Sequence, residues 1–120
     1  MNPNKALWEK GDFTRIAGAM RESGEALVAQ LGIAKGMAVM DLGCGDGTTA
    51  VPEAGLGADV LGVDIARNLV EAGNQRAREA GLANLRFQDM IKIHKLITQP
   101  GCQLAAQSSF TATHKADQEY

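Results

Sequence analysis

Met40-Asp41-Leu42-Gly43-Cys44-Gly45-Asp46-Gly47-Thr48-Thr49 is the stretch that decides how this chain folds. Three glycines at alternate positions, Gly43, Gly45 and Gly47, follow the apolar run Met37-Ala38-Val39-Met40. Such a run reads as a buried parallel strand, and the glycines after it read as a turn where a ligand lies against bare backbone. Gly43 supplies positive φ for the turn and Gly45 leaves room for the ligand. Thr48 or Thr49 then caps a helix whose free N–H groups point back at that ligand. A second apolar run, Val60-Leu61-Gly62-Val63, ends in Asp64. That places a carboxylate beside the same crevice, where it accepts hydrogen bonds from two ribose hydroxyls.

Upstream, Asp12 reads as the N-cap of a helix running to about Leu31, with Ile16, Met20, Leu27, Val28 and Leu31 at helical spacing as its buried face. Gly18 and Gly24 weaken that helix by about 1 kcal/mol each relative to Ala, and Gly32 ends it. Downstream of the loop, Pro52 lies beyond the first turn of a short helix and kinks or confines it, before Gly55 and Gly57 close it. Asp59 to Asp64 is the second strand. A helix from about Arg67 to Ala80 buries Leu69, Val70 and Ala77 and ends at Gly81, and Asn84 to Gln88 is the third strand. Strand, helix, strand, helix, strand implies parallel pairing through right-handed crossovers. Past Gln88 the character changes. Met90 to Ile97 fits a strand or a helix equally well, and Gln103 to Tyr120, rich in Ala, Gln, Ser and Thr, reads as poorly ordered.

A chain of 120 residues has room for one small domain. Apolar content of 45% is that of a globular protein, while 4% aromatic leaves the core to Ala, Leu, Val and Ile. A net charge of −2 gives no electrostatic case for nucleic acid or an anionic membrane surface. No apolar stretch approaches a membrane span, and MNPNKALWEK lacks the apolar run of a signal peptide, so a cytoplasmic chain is expected. The two cysteines, Cys44 and Cys102, make no disulfide framework. Cys102, His94 and His114 lack metal-ligand spacing, and no metal site is expected.

DLGCGDGTTA followed by GVDIA resembles the first two motifs of class I S-adenosylmethionine-dependent methyltransferases. WEKGDFTRIA resembles the lead-in helix of the small-molecule branch of that family. The likeness covers roughly Met1 to Gln88. It implies an α/β fold, a Rossmann-like doubly wound parallel sheet truncated here to about three strands with helices on both faces. Residues 1–88 would be the N-terminal part of a methyltransferase domain and 89–120 a divergent tail, since a full sheet of about seven strands needs nearer 150 residues. The activity implied is methyl transfer from S-adenosylmethionine to a small-molecule acceptor, by in-line attack on the sulfonium methyl.

By the same resemblance, Asp41 binds the amino end of the methionine moiety through water, and Gly43, Cys44 and Gly45 line its backbone and sulfur. Asp64 holds the ribose, Ile65 packs against the adenine face, and Asp89 stands in for an acid that accepts from the adenine amino group. Each also has a structural reading: Asp41 as a turn cap, Asp64 as the cap of the next helix, Ile65 and Cys44 as core. Trp8 and Phe13 either form a lid over the methionine end or anchor their helix to the core. No general base stands out, so no catalytic residue is assigned. Acceptor recognition lies after the family's fourth strand, which leaves the acceptor unread. Without that strand the first strand has an open apolar edge, a surface for self-association. Two other readings are an inert fragment that keeps the motifs, and an NAD-binding oxidoreductase half. The latter's G-x-G-x-x-G fingerprint fails at Thr48, and Asp41 and Asp46 on either side of the turn repel a pyrophosphate.

Overall fold

In a computed structural model of the chain, which describes residues 2–97, three parallel strands make one open sheet. The strands β1 (Ala38–Leu42), β2 (Asp59–Asp64) and β3 (Leu85–Asp89) lie in that order, with Met40 opposite Leu61 and Val60 opposite Leu85. Three helices precede the sheet: α1 (Pro3–Lys10), α2 (Phe13–Ala19) and α3 (Arg21–Gln30). The crossovers are α4 (Ala50–Gly55) and α5 (Arg67–Glu79), and α6 (Met90–Ile97) follows β3. The segment that fitted strand or helix equally is thus a helix, and Asp89 is the last residue of a strand. The chain divides into two units, Met1–Met90 and Ile91–Tyr120. The expectation of poor order from Gln103 onward lies outside the described residues. Among the described residues no helix is long and apolar enough to cross a membrane.

Strand alternation builds the core. Val39, Val60, Leu85 and Phe87 share one face of the sheet and pack with Ala50 and Ala54 of α4 and Val70 and Ala77 of α5. Two right-handed crossovers that advance in the same direction put both helices on the same face. On the other face Met40 and Leu42 are 63% and 69% exposed. Phe87 carries the one aromatic ring among the described buried residues. Its ring fills a socket of bare backbone: a Cβ at Gly47, Gly62 or Gly73 would stand 2.7, 2.7 or 2.8 Å from it. Small residues on the loop, on β2 and on α5 make room for one large ring, and the alanine-rich core closes around it.

The N-terminal helices depart from the sequence reading. The single helix expected from Asp12 to Leu31 breaks at Met20 into α2 and α3, and Ile16, Met20, Leu27 and Leu31 are exposed. The buried face is Gly24 and Val28, one turn apart. A Cβ at Gly24 would stand 2.7 Å from the Thr48 carbonyl oxygen, so the smallest side chain, not the stripe of large ones, sets where α3 docks. Pro52 lies in the first turn of α4, because that helix starts only at Ala50, and α4 is confined to six residues, the second of the two outcomes expected of it. On the outer edge of β3, the Asn74 amide takes both free groups of Phe87: Nδ2 donates to the carbonyl and Oδ1 accepts from the N–H, each at 3.1 Å.

The socket makes Gly73→Ala an overpacking change, expected to cost about 1–3 kcal/mol. A urea melt reads this as a lower midpoint, with part of the loss recovered in Gly73→Ala/Phe87→Leu. A single variant as stable as the parent would refute the socket.

Candidate functional site

The C-terminal ends of β1 and β2 open into a cavity of about 420 Å³, within the usual range for small-molecule sites. Trp8, Leu42, Gly43, Gly45, Asp64, Ile65, Leu69 and Met90 line it. Its floor is the glycine loop. Gly43, Gly45 and Gly47 have φ of +72°, +55° and +97°, a region that side chains make costly. No atom lies within 4 Å of a Cβ built at Gly43 or Gly45, so both present bare backbone to open space, whereas Gly47 backs onto Phe87. The Gly43 and Cys44 amides donate to the Val63 carbonyl at 2.8 and 3.1 Å and stitch the loop to β2.

Asp64 joins the two strand ends. One carboxylate oxygen accepts from the Gly45 N–H and the other from the Ala66 N–H, both at 2.8 Å. Asp41 points the other way. Its carboxylate accepts from the Thr49 hydroxyl at 2.5 Å and from the Ala50 backbone N–H, and it does not line the cavity. Burial pushes the Asp41 carboxyl above its ordinary value, the Thr49 and Ala50 bonds pull it back, and the nearby Asp64 charge raises it again. Thr49 occupies the N-cap position of α4, but its side chain makes no capping bond there. The expectation of free helix amides aimed at a ligand also fails. The Ala50 amide goes to Asp41, Val51 to the Gly47 carbonyl and Glu53 to the Thr49 carbonyl, and Pro52 has none.

Cys44 is buried beneath the loop in the core, with its thiol 3.4 Å from the Gly45 carbonyl. Burial, then the charges of Asp64 and Asp41, push that thiol far up, which makes it inert packing and no nucleophile. Asp89 closes β3, with Lys5 Nζ 3.8 Å from its carboxylate. The structure therefore gathers Gly43, Gly45, Asp64 and Ile65 on one wall. It sets Asp41 and Cys44 behind that wall and Asp89 beside Lys5.

Two sets of residues were missed by the sequence reading. One is on α1, which buries none of its own residues yet is gripped by polar contacts. Lys5 Nζ donates to the Ile65 carbonyl at 2.9 Å and to Glu9 at 2.6 Å, and Glu9 accepts from the Arg67 N–H at 3.0 Å. These contacts hold Trp8 at the cavity, its ring 4.8 Å from that of Phe13. The available signal was the Lys5/Glu9 spacing of one helical turn. The other set is Arg21, Asp46 and Arg76 around the loop, where an acid between two glycines was read only as a repulsive charge.

Glu53 on α4 is a buried acid whose Oε2 has no hydrogen-bond partner. Burial, aided by the charge of Asp41, raises its carboxyl above the ordinary value. The folded chain then holds a proton there at pH values where the unfolded chain has lost it. Stability falls as pH rises from the unfolded pKa through the folded one. The stability of Glu53→Gln relative to the parent should therefore rise with pH between about 4 and 7. Urea melts across that range check it, and a gain that grows in acid would reverse the argument.

A family model described as a methyltransferase domain matches residues 33–103, so the match extends past Gln88. An uncharacterised protein of Mycobacterium tuberculosis is 34% identical over 87 residues, 72% of this chain and 31% of that protein. A 23S ribosomal RNA uracil-C5 methyltransferase of Alkalilimnicola ehrlichii is 40% identical over 81 residues, 64% of this chain and 18% of that protein. The crystal structure of magnesium protoporphyrin IX methyltransferase from Synechocystis, with S-adenosylhomocysteine bound, aligns with a TM-score of 0.51 and 29% identity, covering 62% of this chain and 35% of that one. The chain spans about a third or less of the length of these curated relatives.

Proposed function

Because this chain belongs to the methyltransferase domain family, we propose that its cavity binds S-adenosylmethionine for methyl transfer to a small-molecule acceptor in the cytoplasm. The observation that carries this reading is a carboxylate, Asp64, on the same wall as the bare backbone of Gly43 and Gly45. The residues fit the group. Each Asp64 oxygen accepts one N–H and keeps a lone pair for a ribose hydroxyl. Ile65 and Leu69 offer an apolar surface for a purine, and the open Cβ positions at Gly43 and Gly45 leave space for the methionine portion. The solved relative from Synechocystis holds the demethylated form of the same cofactor.

When bound, S-adenosylmethionine supplies a methyl group already activated on a sulfonium, and the chain's part is to position and shield it. Asp64 fixes the ribose, Trp8 on α1 roofs the cavity, and the apolar wall keeps water out. Asp41 serves from behind, holding the start of α4 so that the loop keeps its place. Cys44 contributes its backbone, while its side chain packs below. Asp89 offers its carboxylate to an adenine amino group in exchange for its contact with Lys5. Asp64 is the only ionisable side chain lining the cavity among the described residues, and it is engaged. With a net charge of −2, the chain favours a small molecule over a nucleic acid as the methyl acceptor.

Calorimetric titration with S-adenosylhomocysteine tests the proposal. Binding should fall in the micromolar range, about −8 kcal/mol, and be lost in an Asp64→Ala variant confirmed folded by its melt. NAD should give no heat. Trp8 is the only tryptophan, so its emission should shift on the same titration. No heat and no shift up to millimolar ligand would sink the reading.

A further inference from the structure

Main-chain bonds stitch the glycine loop to β2, but the loop has few side chains with which to hold one shape. Gly43, Gly45 and Gly47 carry no side chains and all adopt positive φ, so backbone entropy opposes a single conformation. Only Cys44 and Asp46 can anchor it through side chains, and Cys44 is spent in the core. Asp46 is 2% exposed. Arg21, at the start of α3, grips its carboxylate with both arms, Nη1 to Oδ1 at 2.9 Å and Nη2 to Oδ2 at 2.6 Å. The same Nη1 donates to the Thr48 hydroxyl at 2.6 Å. From α5, Arg76 donates to the Asp46 main-chain carbonyl at 2.8 Å and stands 3.7 Å from Oδ1. Charge-assisted bonds of this kind, one pair bidentate, are the strongest hydrogen bonds a side chain makes. They hold both the side chain and the backbone of the residue between Gly45 and Gly47.

We propose that the Arg21–Asp46–Arg76 clamp is the positioning device of the glycine loop, setting the Gly45 backbone on which the ligand lies and coupling ligand affinity to the N-terminal helices through Arg21. The Gly45 N–H bonds Asp64, so a loop that loses Asp46 also loses the partner that orients the cavity's carboxylate. None of the three residues touches the cavity; they act through Gly45. The affinity part rests on the cavity being an S-adenosylmethionine site, whereas the loop-order part does not.

The test uses the full chain with Asp46→Asn, which keeps the shape and removes the charge, and Arg21→Lys, which keeps the charge and removes the fork. Arg86→Gln, breaking an exposed ion pair with Asp59, is the control. Amide hydrogen exchange by NMR in the free protein, well below the melting temperature, gives the first readout. The Gly45 amide should exchange about tenfold faster in Asp46→Asn, the scale of one charge-assisted hydrogen bond, and by an intermediate factor in Arg21→Lys. The Val60 and Phe87 amides should keep their parent rates. A purely stabilising role would speed all of them together, and that result overturns the proposal. The second readout is S-adenosylhomocysteine affinity, expected about tenfold weaker in Asp46→Asn and unchanged in Arg86→Gln. A folded Asp46→Asn chain with parent affinity also overturns it. If the parent binds no S-adenosylhomocysteine, the functional reading falls and the exchange rates alone decide the clamp. If Asp46→Asn does not fold, Arg21→Lys decides it.

Discussion

The Phe87 ring lies against three glycines, and that contact sets how closely the glycine loop, β2 and α5 approach one another. Gly47 brings the loop down onto the ring, Gly62 brings β2 against it, and Gly73 brings α5 over it. A methyl group on any of the three would push one of these elements outward, because a packed core transmits such changes rather than absorbing them. Gly47 meets the ring on one side of the loop, and Gly43 and Gly45 meet open space on the other. One short loop is therefore both the lid of the core and the floor of the cavity. The glycines at its two ends serve different constraints despite their shared spacing.

Around that loop, three carboxylates each hold a different element. Asp41 holds the start of α4, Asp64 ties the loop to the turn after β2, and Asp46 ties it to α3 and α5. Some of these bonds are local, as from Ala66 to Asp64, and others cross 19 to 30 residues, as from Gly45 to Asp64 and from Arg76 to Asp46; together they make a glycine-rich loop a defined surface. The same charges explain the Cys44 thiol. A thiolate there would face Asp64, Asp41 and Asp46 in a dry setting, so the sulfur stays protonated.

The strands, the loop and the α5 face were legible because each is written locally. An apolar run ends in an acid, glycines alternate, and Leu69, Val70 and Ala77 recur at helical spacing. Gly43, Gly45, Asp64 and Ile65 reached the cavity wall for the same reason, since strand ends and the turns after them face one crevice. Asp41 takes the place its turn-cap reading gave it, behind the cavity wall, while the N-terminal face departs from its apolar stripe. Asp41 shares the parity of Val39, whose side chain packs toward the core, so strand alternation alone places its carboxylate on the helix side of the sheet. On α3 the stripe of large residues suggested a buried face. Docking against Thr48 instead rewarded the residue that lets backbones approach, Gly24. The pairs Lys5 with Ile65, Arg21 with Asp46 and Arg76 with Asp46 join positions 25 to 60 residues apart and leave no local pattern to read.

The two edges of the sheet are treated differently. Asn74 occupies the outward N–H and carbonyl of Phe87, which closes β3 to pairing with another strand. Among the described residues β1 is hydrogen-bonded to β2 alone, and its bare face presents Met40 and Leu42 to solvent. Among the described residues, then, the outward main-chain groups of Phe87 on β3 are taken and those on the outer side of β1 are not paired with a strand. The cavity opens at the C-terminal end of that same β1, so the open side of β1 and the mouth of the cavity are neighbours.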